Sequence, residues 1–241
     1  EGRRLACQCQ IEADLVVDVP AASQVHNQIV RKAADNRVIA LNPPVRLCFI
    51  DVREPDMHEP SGDLRRVIEA LQNQWPDRVS GKGSCGVHVL RELQHCLRKG
   101  KWQVTVALRG GSQIIAIWPG LKTQILGAAI DVGSTTISAQ LCDMNTGDVL
   151  AATGIMNPQI RFGEDLMSRV SYGLMNEGGA SEMTKAVRES LQQLITGGAE
   201  QAGMTPEDVL EIVLVGNPVM HHLLLGIDPI ELGGAPFALA V

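Results

Sequence analysis

The stretch AIDVGSTTISAQLCDMNTGDVLA, residues 129–151, consists of two apolar runs that are joined by DVGSTT and closed by a turn containing glycine. Both runs have the length of a β-strand and the links between them are short, so the pattern predicts a tight meander. DVGSTT itself leaves two alternatives open. It is either a hairpin turn with polar residues facing water, or a loop shaped to hold a phosphate group.

The segments that follow extend the meander into a recognisable fold. VLAATGI supplies a third strand, and the apolar periodicity of residues 164–174 and 181–197 predicts two helices. The predicted inward residues are Leu166, Met167, Val170 and Leu174 on the first helix and Val187, Leu191, Leu194 and Ile195 on the second. VLEIVLVGN, residues 209–217, is continuously apolar and typical of a central strand covered on both faces. PVMHHLLLG then predicts a helix capped by Asn217. The order β-β-β-α-α-β-α predicts an α/β, ribonuclease-H-like half-domain of the kind used by actin-type ATPases and sugar kinases.

The preceding part of the chain predicts a small α+β domain. Residues 37–54 favour strands interrupted by Pro43–Pro44, at an edge or a turn. Residues 101–120 predict a hairpin that turns at Gly110–Gly111. Two helices are expected over residues 63–74 and 86–98. The first helix is predicted to be capped by Asp63 and to have an inward face of Leu64, Val67, Ile68 and Leu71. The second is predicted to have an apolar stripe of Val87, Leu90, Leu93 and Leu97. Cys85 and Cys96 are assigned to this second helix.

Bulk composition excludes some classes of function. Aromatic residues are 3% of the chain and the net charge is −6 with scattered basic residues, which argues against nucleic acid as a partner. No apolar run approaches the ~20 residues needed to span a bilayer, and no signal peptide is visible, so no membrane partner is expected. Six irregularly spaced cysteines favour reduced thiols and a cytoplasmic protein, with Cys48 and Cys142 in the core.

DVGSTT contains the residue types that phosphate and Mg²⁺ binding require. Gly133 lets the backbone approach a phosphate closely, and Ser134, Thr135 and Thr136 offer hydroxyl donors. Asp131 at the strand end can hold Mg²⁺ through water. Phosphoryl transfer needs positioning and charge neutralisation more than covalent help, so these groups suffice for one side of an ATP site.

Several longer phrases resemble the reductive activators of corrinoid-dependent enzymes, which are iron–sulfur proteins with an actin-like ATPase domain. The phrases are AIDVGSTTISAQLCDMNTGDVL, NPQIRFGEDLMSRVSYG, VGNPVMHHLLLGIDPIELGGAPF and, upstream, PPVRLCFIDVREPDMHEPSGDLRRVIEAL. The resemblance implies three parts. Residues 1–20 would be the end of a [2Fe–2S] domain, 21–124 a linker and middle domain, and 125–241 the first portion of the ATPase domain.

The resemblance also implies roles for individual residues. Cys7 corresponds to the fourth ligand of the [2Fe–2S] cluster, whereas Cys9 has no counterpart. The first phosphate loop corresponds to Asp131, Gly133, Ser134 and Thr135, with serine where the family usually has threonine. Because both ends of the chain look cut, we expect the other cluster ligands before residue 1. For the same reason the second phosphate loop is expected after residue 241, and the segment alone should neither assemble the cluster nor hydrolyse ATP.

Other polar residues have simpler interpretations. The second phrase contains Asn157, Gln159, Asp165 and Arg169. Asp165 could orient water or a metal ion, but we favour its interpretation as a carboxylate stabilised by the dipole at a helix start. His221 and His222 are adjacent on a helix, about 100° apart, and so cannot chelate one metal as an i, i+4 pair would.

Three functions remain open from the sequence. The favoured one is ATP-dependent electron transfer that activates a corrinoid protein or methyltransferase, with a possible homodimer through the middle domain. The alternatives are a small-molecule kinase of the same fold, which leaves residues 21–122 unexplained, and a docking module without catalysis.

Overall fold

The computed structural model describes residues 40–240, in which two four-stranded sheets follow one another along the chain, each with its own helices. The elements of the first unit are β1 (Val45–Asp51), α1 (Asp63–Gln74), β2 (Ser84–Cys85), α2 (Val87–Lys99), β3 (Gln103–Arg109) and β4 (Gln113–Pro119). The elements of the second are β5 (Leu126–Val132), β6 (Thr136–Asp143), β7 (Val149–Met156), α3 (Leu166–Met175), α4 (Gly179–Gln201), β8 (Val209–Gly216) and α5 (Pro218–Leu225).

The first sheet has the strand order β1-β3-β4-β2. The hairpin predicted between β3 and β4 is present, and its turn uses Gly110 and Gly111 at φ of 55° and 73°. Both angles lie in the left-handed region that glycine adopts without steric cost. β1 occupies the sheet edge that Pro43–Pro44 predicted, but the strand begins only after the prolines, and residues 40–44 are irregular. Proline has no N–H to donate, so the ladder cannot continue through it.

The two helices of the first unit are present, with corrections to their details. α1 has the predicted bounds and buries Val67 and Leu71. The predicted Asp63 cap is wrong, because Gly62 is the cap residue and the Asp63 carboxylate instead contacts Arg66 and Arg98.

The predicted stripe of α2 is half wrong. Leu93 and Leu97 are buried as expected, but Val87 and Leu90 are exposed, and Val89 and Cys96 take their places. The rotation of the helix is set by its contact with β4 and not by the apolar count alone. Cys85 lies in β2 and not in the helix, which begins after Gly86.

The second sheet has the order β7-β6-β5-β8, with β5–β6 and β6–β7 antiparallel and β5–β8 parallel. A meander followed by a parallel strand that returns beside the first is the predicted ribonuclease-H-like half-domain. The α/β fold class is therefore confirmed. α4 packs on β6 and β7, and its residues Val187, Leu191 and Leu194 enter the main core as predicted.

The other helices of this unit agree less uniformly with expectation. α3 was predicted to present Leu166, Met167, Val170 and Leu174 inward. Val170 is buried and Leu166 packs on the core, whereas Met167 and Leu174 are exposed. α5 begins at Pro218 after an Asn217 cap and is followed by Gly226 at φ 77°, as the sequence indicated. No helix within residues 40–240 is long and apolar enough to cross a bilayer.

The prediction that β8 is covered on both faces is wrong for the part of the chain that the structure describes. Ile212, Val213, Leu214 and Val215 are between 41% and 59% exposed. β8 is the end strand of its sheet, and no strand among residues 40–240 pairs with its outer edge. Apolar composition showed that these side chains favour burial, but it could not show what buries them.

The two units are joined by a small apolar cluster and by polar contacts. Val45, Ala107, Ile125 and Met144 form the cluster's buried centre. Beside it, Arg109 Nη2 lies 2.7 Å from Glu211 Oε2 and also donates to the carbonyl of Leu210 at 3.2 Å. These contacts connect the end of β3 to the start of β8.

The cysteines at 48, 85, 96 and 142 are free thiols. Cys48 is fully buried as predicted, whereas Cys142 is only half-buried. Burial raises the pKa of each of the four thiols. They are therefore protonated and weakly nucleophilic at neutral pH.

Candidate functional site

The DVGSTT loop leaves the sheet at the same edge as the turn after β8. The parallel register pairs Val132 with Gly216, so residues 133–135 and Asn217 follow neighbouring strand ends. Ligands of open α/β sheets bind outside the carboxyl ends of parallel strands. The position therefore favours a binding loop over a hairpin turn with only a structural role.

Gly133 is required by close approach within the loop and not by its φ angle. A Cβ added to it would lie 2.5 Å from the carbonyl oxygen of Thr136, a backbone atom that cannot move without opening the turn. Any larger residue at position 133 would widen the link between β5 and β6. This confines the loop to its tight form.

The three carbonyl oxygens of the loop accept hydrogen bonds from residues behind it. The side-chain amide of Asn157 donates to Gly133 O at 2.8 Å, and its backbone N–H donates to Thr135 O at 2.8 Å. Between them, the guanidinium of Arg169 donates to Ser134 O. The backbone carbonyls of residues 133–135 are thus all engaged by the protein itself.

The donors of the same loop remain available. Within residues 40–240, the backbone N–H groups of Ser134 and Thr135 donate to no other atom of the chain. Ser134 is half-buried, Thr135 is exposed, and Thr136 begins β6. A turn whose carbonyls are bonded internally and whose N–H groups are free is suited to an anion.

Asp131 is half-buried one residue before the end of β5, where its neighbours across the sheet are Ser138 and Val215. It lines an open cavity of about 210 Å³ together with Ser138, Gln140, Val213 and Val215. A strand-end carboxylate offers the oxygen ligands that Mg²⁺ prefers, and here it lies beside a turn suited to an anion.

The structure therefore brings the five predicted residues Asp131, Gly133, Ser134, Thr135 and Thr136 to one sheet edge. Cys7, the predicted cluster ligand, lies outside the described residues. Among those residues, no group of three or more His, Cys, Asp or Glu side chains is arranged to hold a metal ion.

Arg169 lies behind the loop, in a position that the sequence did not reveal. Its side chain is fully buried on α3. Nε donates to Gly163 O at 2.9 Å, and Nη1 contacts Gln159 Oε1 at 3.5 Å and Met220 Sδ at 3.2 Å. Burial lowers the pKa of Arg169, and the charge of Asp165 partly opposes this effect. The only sequence signal was an arginine beside the apolar positions of a helix.

Asp165 and the two histidines have structural roles. Asp165 caps α3 by accepting from Ser168 N at 2.8 Å and Ser168 Oγ at 2.7 Å, which confirms its interpretation as a helix-start carboxylate. These hydrogen bonds lower the pKa of Asp165. His222 is buried between the carbonyl of Pro218 and the N–H of Ala240, while His221 is exposed, so they do not form a metal pair.

Fold and sheet edge together define the chain as a ribonuclease-H-like half-domain preceded by a small α+β unit. Two family models match it: the RACo linker region over residues 34–124 and the RACo middle region over residues 126–241. The chain therefore belongs to the RACo family.

Individual relatives agree with the family. The chain is 33% identical over 129 residues to the corrinoid activation enzyme RamQ of Eubacterium limosum, covering 53% of this chain and 22% of RamQ. It also matches the solved structure of a reductive activator for a corrinoid, iron–sulfur protein with a TM-score of 0.70 and 30% identity. That match covers 86% of this chain and 33% of the other. The chain thus spans about a third or less of these relatives.

Proposed function

We propose that this chain is part of an ATP-dependent reductive activator, which transfers an electron from an iron–sulfur cluster to the corrinoid of a partner protein or methyltransferase. The observation that supports it most directly is the loop at residues 133–135, with bonded carbonyls and free N–H groups, in a chain of the RACo family. The described residues would contribute one side of the nucleotide site.

Each residue of the loop has a part in this proposal. The N–H groups and hydroxyls of Ser134 and Thr135 would hold phosphate oxygens, and Thr136 would add a hydroxyl at the start of β6. Asp131 would orient Mg²⁺ through water, and Gly133 would keep the turn tight. When bound, Mg²⁺ would neutralise phosphate charge. Cys7 would ligate the cluster, as the resemblance implies.

ATP affects reduction only if it binds one arrangement of the protein better than another. The contacts between β3 and β8 supply a physical connection for this. Glu211 contacts Arg109 near the start of β8, and β8 ends beside the loop. From the resemblance to the family and the pattern of cysteines in the sequence, we also propose the division at residues 1–20, 21–124 and 125–241, a homodimer through the middle domain, and a cytoplasmic location.

The test is performed on the full-length protein with its cluster intact and a corrinoid partner. Conversion of cobalt(II) to cobalt(I) is followed by visible absorption with and without ATP. We expect strong ATP dependence in the wild type and its loss in Asp131→Asn, with cluster content unchanged. Equal reduction with and without ATP would contradict the proposal. The kinase alternative predicts a phosphorylated metabolite, and no observation on the linker unit favours it.

A further inference from the structure

Arg169 carries a buried charge without an acidic hydrogen-bond partner. Its acceptors within the described chain are the carbonyls of Ser134 and Gly163, the amide oxygen of Gln159 and the sulfur of Met220, all of them neutral. Asp165 acts on it only at a distance, since that carboxylate is engaged by Ser168. Buried charges in proteins are normally paired, whereas no carboxylate among residues 40–240 contacts this guanidinium.

The guanidinium lies directly behind the loop, on Ser134 O. An anion in front of the loop would therefore be close to this positive charge, with little water between them. In such surroundings charges interact far more strongly than in bulk solvent. The guanidinium charge and the free N–H groups point to the same place.

Asn157 holds the loop from the other side through both its backbone and its side chain. Its Nδ2 group donates to Gly133 O, while its Oδ1 atom accepts from the N–H of Gln159 at 2.9 Å. Gln159 in turn donates to the carbonyl of Met183 on α4 at 2.9 Å. Asn157 is 1% exposed, so these hydrogen bonds between the loop and α4 are shielded from water.

We infer that Asn157 and Arg169 are the positioning residues of the phosphate loop, and that a phosphate group bound in front of the loop is the counter-ion of Arg169. This inference rests on the proposed function, because it concerns the same loop. Asn157 orients the carbonyls of Gly133 and Thr135 away from the ligand. Arg169 does the same for Ser134 and adds a positive charge beneath the site.

The substitution Asn157→Asp tests the orientation of the loop with little change to the packing around it. The substitution keeps the Oδ1 acceptor for Gln159 and nearly the same volume, but it replaces the donor facing Gly133 O with a second acceptor. Because one buried hydrogen bond is lost and two acceptors then repel each other, we expect the ATP affinity to fall by roughly tenfold or more. Arg169→Lys keeps the positive charge but loses the several N–H donors of the guanidinium. Its loss of ATP affinity should therefore be smaller than that of Arg169→Met, which loses both.

The experiment measures the ATP affinity of the full-length variants by calorimetry. Without nucleotide, it also measures amide hydrogen exchange at residue 157, relative to the intrinsic rate, because this N–H donates to the carbonyl of Thr135. Arg188→Met is the matched control, because Arg188 also donates to a carbonyl, that of Leu224 on α5, on an exposed part of α4. We expect ATP binding to weaken in the order wild type, Arg169→Lys, Arg169→Met, and amide exchange at residue 157 to be faster in Asn157→Asp. Arg188→Met should match the wild type in both.

The outcomes are distinguishable from failure of the proposed function. If the wild type binds ATP, and Asn157→Asp and Arg169→Met bind it equally well with unchanged exchange, the inference is overturned. If the wild type does not bind ATP, the proposed function fails. In that case amide exchange in Asn157→Asp still tests whether Asn157 positions the loop. Faster exchange supports this role, and unchanged exchange overturns it. Should Arg169→Met fail to fold, Asn157→Asp gives the same decision.

Discussion

Lys122 and Asp208 form an ion pair across the junction of the two units, with Lys122 Nζ 2.7 Å from Asp208 Oδ1. Lys122 belongs to the connector after β4, and Asp208 immediately precedes β8. Asp208 also accepts from the N–H of Thr205 at 3.1 Å and from its hydroxyl at 3.2 Å. The side chain of Asp208 is 12% exposed, so little water competes for these bonds.

This pair predicts a specific response to acid. Burial raises the pKa of Asp208, but the hydrogen bonds and charge of Lys122 and the bonds from Thr205 outweigh it, so the net pKa is lowered. The stability from this carboxylate is therefore complete above its unfolded pKa of about 3.9 and is lost as pH falls through the folded pKa. We expect Asp208→Asn to lower the unfolding free energy by about 1 kcal/mol at pH 7.

Urea unfolding at several pH values checks this. The difference between wild type and Asp208→Asn should shrink as the pH falls below ~3.9. Lys122→Met, which keeps the Thr205 bonds, should cost less at pH 7. A difference that does not change with pH would show that Asp208 acts by shape and not by charge.

Adjacent glycines on α4 should respond oppositely to alanine. A Cβ at Gly198 would lie 2.6 Å from Cδ1 of the fully buried Leu141, whereas Gly197 has nothing within 4 Å. Gly197→Ala should raise the unfolding free energy by about 0.5–1 kcal/mol, since alanine favours helix. Gly198→Ala should lower it by roughly 1–3 kcal/mol, through overpacking. Thermal unfolding of both variants measures this, and stabilisation by both would contradict the packing of α4 on β6.

Gly133→Ala should damage the candidate site selectively. The added methyl group meets the Thr136 carbonyl and widens the turn, so we expect roughly tenfold or greater loss of ATP affinity in the full-length protein. Gly234→Ala is the control, because nothing lies within 4 Å of its added Cβ. Calorimetry reports both affinities, and undiminished binding by Gly133→Ala would remove the loop from the nucleotide site.

The two cysteines near the start of the chain give a test of the cluster assignment. In the full-length protein, Cys7→Ala should abolish most of the visible absorption and bound iron of a [2Fe–2S] cluster, because a ligand is lost. Cys9→Ala, two residues away, should leave both unchanged. Equal loss in the two variants, or loss only in Cys9→Ala, would show that the ligand assignment is wrong.

The sequence was a good guide where the signal is local. The bounds of α1, the turn at Gly110–Gly111, the Asn217 cap and the order of elements after residue 126 were all predicted correctly. Each depends on a few neighbouring residues, through periodicity, a glycine φ angle or a helix cap. The five loop residues were singled out in the same way, from their types and their place between two strands, and their role in binding remains a prediction.

What the sequence could not supply depends on contacts between distant residues. It predicted burial for Val87 and Leu90, where the sheet selects Val89 and Cys96, and a covered β8 that lies at a sheet edge. It also gave no sign that Arg169 and Asn157 hold the loop, since their partners Ser134 and Gly133 are 35 and 24 residues away. The amino-acid sequence alone determined the elements and the chemical groups of the loop. Only tertiary structure decided which side of the loop is bonded and which is left open, because that depends on side chains from other elements packing behind it.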